Sequence, residues 1–548
     1  MSRLRVTILV LSVLFSAACS TGSRSDMPMI SVDGIRQHVS VLAHDSLEGR
    51  GTGHRGYDKA AAYVAEQFKR YGLAPGMSDG SYLQPVRFRE TGLVPGSASV
   101  RVTGPRATNL TPGVDFVASS DPRDTLTTFG GAMVFAGYGV SAPEFQYDDY
   151  ASIDVKDKVV VVLFGAPSSL PPNPRAHFSG AEKTKTAVAR GARGVITLWT
   201  EDAERTAPWS FMERLSHRTG MVWLAPDGSL PAEVSSLLAG VVLSPAASAR
   251  LFGSSAAWNT VLETARQGKP QAFALPGEIH VRKANLHRDL TAPNVVAKLA
   301  GSDPVLAEEY VVYTAHLDHD GIGAAFNGDS IYNGAIDNAS GVAALLEVAR
   351  AFSERKQRPK RSILFIATAA EEKGLLGAEF YAEYPTVPIG SVVANLNMDG
   401  NHMLFPTRSI VALGAEHSTL ADDAAVAANA SGVELETELM PEQAFFIRSD
   451  QYPFIKKGVP ALFFVNGTRS SDSTVDGGAI LMNWLGTVYH TPKDDLDQPM
   501  HYESGAKYAE VAFRVGERVA NASSRPTWRP GDFFGDRFGT PATRVPAP

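Results

Sequence analysis

From Asn294 onward, short apolar runs alternate with stretches of helical period, and no other feature of the chain limits its fold as strongly. The runs Tyr310 to Tyr313, Ile363 to Ala367, Val392 to Leu396, Ile410 to Leu413 and Ala461 to Val465 have the length and texture of buried strands. Between and after them lie apolar helical stripes. Val342, Leu345, Leu346 and Ala349 form one, and Tyr508, Val511, Ala512, Val515 and Val519 form another. Strands and helices in alternation predict a largely parallel or mixed sheet flanked by helices. In such open sheets, ligands gather beyond the carboxyl ends of the strands. Three predicted strands deliver chemistry-bearing residues at that edge: His316, the pair Glu371 and Glu372, and Asp399.

With Asp318, Asp337 and His490, these residues make a nitrogen and oxygen donor set able to hold two zinc ions and activate water. Imidazole and carboxylate suit zinc, and a catalytic zinc keeps one position open for water or substrate. Two ions about 3.5 to 4 Å apart need a carboxylate that can bridge them. Five ligands suffice for two metals, which leaves Asp318 and Glu371 for orienting a ligand and moving a proton. A hydrolase is the function such a set points to. Adjacent glutamates usually mark a solvated surface, but Glu371 and Glu372 follow the apolar run Ile363 to Ala370. His319 lies beside the ligand loop after the positions are filled, and reads as neighbouring rather than coordinating.

The rest of the chain limits the setting. At 548 residues with 44% apolar content, two globular domains are expected. A net charge of −7 and the lack of a Lys/Arg run argue against nucleic-acid binding. Ser2 to Arg5 is basic, Val6 to Phe15 is apolar but too short to span a bilayer comfortably, and small residues lead into Cys19, the only cysteine. Residues 1–19 therefore read as a lipoprotein-type signal, although Ser16 stands where such signals usually carry Leu. The expectation is an exported protein of the bacterial cell envelope, anchored to a membrane surface through a lipidated Cys19 and lacking an intrachain disulfide.

Residues 30–125 read as the first part of the domain that resumes at 285, with helical patterning from Ile30 to about Ser97: Ala61, Val64, Ala65 and Phe68 share one face and Gly72 is placed to stop the helix. Residues 126–284 change to short strands and turns, among them Met133 to Tyr138, Val159 to Phe164 and Gly194 to Leu198. The acids of that stretch, including Asp148, Asp149 and Asp154, are scattered, so the module reads as structural or substrate-shaping. Residues 285–522 hold the metal-type set. The Pro-rich tail, 523–548, reads as poorly ordered.

The motifs His316-Leu317-Asp318-His319, Gly334 to Gly341, Glu371-Glu372, Asn397 to Gly400 and Tyr489 to Pro492 resemble, in order, the co-catalytic di-zinc aminopeptidases, a family that includes glutamate carboxypeptidases and transferrin-receptor-like proteins. Leu47 to Arg50 with Thr52-Gly53 resembles the family's N-terminal region. Gly137 to Gly139, Lys156 to Lys158 and Gly191 to Val195 resemble an inserted protease-associated domain. The resemblance implies a three-layer α/β/α zinc exopeptidase fold with a mainly β domain inserted, two Zn2+ per chain and a peptide substrate. It implies that Asp337 bridges both metals, with His316 and Asp399 completing one site and Glu372 and His490 the other. Glu371 would be the general base, and Asp318 would hold the His316 ring by accepting its other N–H. An aminopeptidase is the expected activity. A carboxypeptidase for C-terminal acidic residues, a one-zinc glutaminyl-cyclase-like acyltransferase and a non-catalytic receptor-like ectodomain are the rivals. The chain departs from the family at Gln451, where His is common, and its Gly321 to Asn333 loop is a candidate pocket wall.

Overall fold

The computed structural model describes residues 30–235, 240–269 and 271–544. The segment read as a targeting signal, with Cys19, lies outside the described residues. Among the described residues no helix is long and apolar enough to cross a membrane.

The apolar runs after Asn294 form adjacent strands. Tyr310–His316 pairs in parallel with Ser362–Thr368 on one side and with Val392–Met398 on the other. Val392–Met398 continues in parallel to Ala461–Asn466, which pairs antiparallel with Ser409–Leu413. Alternate side chains of a strand point to opposite faces, and the packing follows that period. Val311, Tyr313 and Ala315 face the helices Val32–Leu42, Arg55–Arg70, Ser340–Ser353 and Tyr502–Asn521. Val312, Leu364 and Ile366 face Leu376–Glu383 and Gln451–Lys456 through Tyr381 and Phe454. The sheet is therefore covered on both faces, the α/β/α arrangement that its continuously apolar strands require.

The strand Ala272–Leu299 links this sheet to a second one. Its C-terminal half pairs antiparallel with Leu83–Leu93 and with Ser362–Thr368. Its N-terminal half pairs with Ser99–Thr103 and Leu126–Ala136. The second sheet continues through Val159–Leu163, Gly194–Leu198, Val241–Leu243 and Phe116–Ala118, and has its own apolar core. The boundary read from sequence at 126 is corrected here. The second sheet begins at Ser99, while position 284 is where Ala272–Leu299 passes from one sheet to the other, Ala284 pairing with Leu126 and Asn285 with Leu93. Asp149, one of the scattered acids, is a local tie: it accepts from the N–H of Tyr138 and Val140 and from the hydroxyl of Tyr147.

The expectation of a poorly ordered tail is also corrected for its described residues, 523–544, where four aromatic residues outweigh the prolines. Trp528 and Phe534 are buried, and Phe533 and Phe538 pack with them against Leu413, Phe446, Ile455 and Phe463. The Trp528 indole donates to the carbonyl of Gly458 at 3.0 Å. Arg537 reaches the second sheet's module, pairing with Glu144 at 3.4 Å and lying over the Phe178 ring.

Candidate metal centre

The parallel strands end on one edge and carry their polar residues there. His316 is the last residue of its strand, Asp399 follows Val392–Met398 directly, and Glu371 and Glu372 lie just past Ser362–Thr368. Asp337 sits in the tight turn before the helix Ser340–Ser353, and His490 lies after Gly477–Thr487 with φ 53°. Positive φ is unfavourable for a residue with a side chain, and such backbone persists where surrounding structure holds it.

These residues converge around Asp337. One oxygen of Asp337 lies 3.1 Å from His316 Nε2, which is also 3.0 Å from Asp399. The other lies 3.1 Å from His490 Nε2, which is itself 3.3 Å from Glu372. Asp337 thus divides its two oxygens between two donor groups. His319 is nearer than the sequence reading placed it. Fully buried, it lies 2.7 Å from Glu372 through Nδ1, and among the described residues its Nε2 has no hydrogen-bond partner. His319, Asp337 and Glu372 bring ligand atoms within 4.8 Å of one another, as do His316, Asp337 and Asp399.

The electrostatics are those of a cation site. Asp337, Glu371, Glu372 and Asp399 bring four carboxylates into a buried space whose nearest compensating groups are imidazoles. Burial raises the pKa of Asp337, but hydrogen bonds from His316 and His490 outweigh it and hold the carboxyl well below its usual range. Burial lowers His490, yet Asp337 and Glu372 lift it to about 11. Burial pushes Glu371 well above the carboxylate range, and the charges of Asp399 and Glu372 add to this against the pull of His316. Buried anions in such number need pairing or a metal, and an imidazole and carboxylate donor set fits zinc.

A surrounding layer holds this cluster in place. The Asp318 carboxylate accepts from the backbone N–H of Glu371 at 3.0 Å and of Glu372 at 3.4 Å, and from Thr52 Oγ1 at 3.2 Å. Its direct bond to the His316 ring is not formed. His316 Nδ1 meets the Asp318 backbone carbonyl at 3.1 Å, whereas the carboxylate is 4.0 Å away and committed to the Glu371 turn. Three further residues escaped the sequence reading as contributors. Asp494 accepts from the N–H of Ile336 and of Asp337, each at 2.9 Å. Ser449 donates to Asp399 at 2.6 Å. Arg50, buried, donates to the carbonyls of Leu42, Leu317, Asn333 and Gly334 and so ties the His316 and Asp337 loops together. Gln451 does not touch the site: it is buried, accepts from Asn397 and donates to Phe446 O.

Glu371, His316 and Asp399 open onto a cavity of about 190 Å3 whose walls include Val411, Leu413, Phe463, Leu481, Trp484 and Leu485. Glu438 and Arg448 also line it. The Gly321 to Asn333 loop does not. It forms a hairpin, Gly321–Phe326 with Asp329–Tyr332, on the Glu372 side.

Comparison with known proteins agrees with this chemistry. Residues 294–515 match the model of Peptidase family M28. A probable zinc metalloprotease of Pyrenophora teres f. teres (strain 0-1) is 42% identical over 111 residues, 20% of this chain and 22% of that protein. Aminopeptidase NAALADL1 of Mus musculus is 33% identical over 133 residues, 23% of this chain and 16% of that one. The chain thus spans under a quarter of the length of these curated relatives. Among solved structures, the aminopeptidase from Aneurinibacillus sp. strain AM-1 aligns over 92% of this chain and 95% of its own, at 20% identity and a TM-score of 0.49.

Proposed function

We propose, from the match of residues 294–515 to the model of Peptidase family M28, that the chain is an exported zinc exopeptidase, anchored through Cys19, that removes N-terminal residues from peptides. The observation that carries the reading is Asp337, whose two oxygens serve two separate donor groups beside a buried glutamate that opens onto a cavity. His316 and Asp399 would hold one zinc, Glu372 and His490 the other, and Asp337 both. The metals would supply Lewis acidity and make water acidic enough to attack near neutral pH.

The protein's own groups do the rest. Glu371 takes a proton on its carboxylate from the attacking water and delivers it to the leaving amine. Asp318 keeps Glu371 in place by holding its backbone N–H. Leucine and aromatic walls receive the terminal side chain. The choice of aminopeptidase rests on charge. Among the charged groups of the cavity that hold no metal in this reading, the acids Glu371 and Glu438 are set against Arg448, which is exposed and lies over the Phe445 ring. Such a lining suits a terminal ammonium and repels a terminal carboxylate. Arg448 is the feature that favours a carboxypeptidase.

The test pairs metal content with hydrolysis on protein lacking residues 1–19. Chelator-sensitive cleavage of free-amine substrates but not N-blocked ones, with about two zincs per chain, is the expected result. Metal binding with cleavage of N-blocked peptides alone would overturn it in favour of the carboxypeptidase.

A further inference from the structure

Glu371 and Glu372 are neighbours in sequence, yet they open onto two spaces that share no lining residue. Glu371 faces the cavity of about 190 Å3, room for one side chain. Glu372 faces a groove of about 730 Å3, within the range of about 300 to 1,000 Å3 over which proteins hold sizeable ligands. An exopeptidase that seats the terminal residue in the first space can lead the remaining chain into a second. The groove begins at the same cluster.

Its walls suit a peptide backbone. One is the first part of the strand Gly220–Leu224, through Gly220, Met221 and Val222, a strand that pairs with Leu83–Leu93 from Gly220 opposite Thr91 to Leu224 opposite Arg87. Among the described residues its other edge has no partner, so alternate N–H and C=O groups face the groove side unpaired. The other wall is the hairpin, through Gly323, Ala324 and Tyr332. The floor carries Asp320, Glu372 and Lys373, with Lys373 Nζ 3.5 Å from Asp320. Arg218 stands exposed at the start of the edge strand and has no ion pair among the described residues. The groove's one uncommitted charge is therefore positive.

We propose that the peptide beyond the bond being cut lies in this groove as an added strand on Gly220–Leu224, with an acidic side chain over Arg218. This rests on the aminopeptidase reading and extends it to the substrate class: oligopeptides with a downstream acid, rather than dipeptides. Strand addition gives affinity through the main chain and leaves side-chain choice to local contacts such as Arg218. Along Gly220, Met221 and Val222, about three residues at about 3.3 Å each would follow the edge.

The experiment measures kcat/KM for the mature protein on leucyl-chromophore, on Leu-Ala through Leu-(Ala)5, and on the longest peptide with one Glu moved along it. A rise of about tenfold with length, the yield of one or two backbone hydrogen bonds, is expected, together with a Glu preference at one position. N-methylation of alternate downstream residues should remove the length gain in one register only. Arg218→Glu should reverse the Glu preference while the all-alanine length gain persists. Cleavage of the chromophore with a flat length profile overturns the groove assignment. Failure to cleave any free-amine substrate overturns the aminopeptidase reading and the groove with it.

Discussion

Asp494 offers the sharpest test of how the metal-type cluster is held. Its two carboxylate oxygens accept from the backbone N–H of Ile336 and of Asp337, each at 2.9 Å, and the side chain is fully buried. In Asp494→Asn one oxygen remains an acceptor and the amide nitrogen turns a donor toward the other N–H. One charge-assisted bond is lost and one buried donor is left unsatisfied, together about 2 to 3 kcal/mol. That energy now fixes the backbone of Asp337, the residue whose oxygens serve both donor groups. A loss there reads out as weaker zinc binding by about 30- to 150-fold, at or slightly above the range seen when outer-shell partners of metal ligands are changed. Competition of the folded variant against a fluorescent chelator measures the affinity, and circular dichroism confirms the fold. Zinc affinity within about twofold of the parent would refute the argument, since so small a change leaves no role for these bonds in preorganising Asp337.

Other perturbations address the base, the tail and pH. Glu371→Gln should keep its metal content in elemental analysis while turnover falls by at least about 100-fold; an unchanged rate with bound metal would remove the base assignment. Trp528→Ala should destabilise the protein by about 3 to 5 kcal/mol in urea unfolding, because the indole is buried and bonded to Gly458, whereas a disordered tail would leave the midpoint unmoved. Burial lowers the pKa of His417, but Asp532 and Glu416 outweigh it and raise it from 6.5 to about 9. The pair's stabilisation is therefore full below about pH 6.5 and is lost as pH rises through about 9. The stability gap between parent and Asp532→Asn should narrow over that window, and a gap that widens with pH would reverse the sign.

Legibility in the sequence followed burial. Strands buried on both faces must be apolar throughout, so Tyr310–His316 and Val392–Met398 stand out as runs, and the sheet they form brings His316 and Asp399 to one edge. The tail is opaque in sequence because prolines are conspicuous, while Trp528, Phe533, Phe534 and Phe538 acquire meaning only once Phe446 and Phe463 are placed opposite them. Asp494, Ser449 and Arg50 act through hydrogen bonds to distant backbone or to carboxylates reached only in the fold, and such contacts leave no spacing in the chain. His319 illustrates the same limit. Its neighbours in sequence place it beside the ligand loop, but only the fold brings its ring to Glu372.

The strand Ala272–Leu299 is 28 residues long and carries hydrogen-bond ladders of both sheets. Mechanically it is a common shaft. Rotating one half of the molecule against the other would require twisting or unzipping a ladder, a far stiffer mode than bending a linker. Access to the space beside Glu372 is then governed by small parts, the hairpin Gly321–Tyr332 and the turn before Gly220, while the two large bodies keep their bearing. The same continuity makes the second sheet's module a poor candidate for excision, since a cut at 284 would divide one strand between Ala284, which pairs with Leu126, and Asn285, which pairs with Leu93.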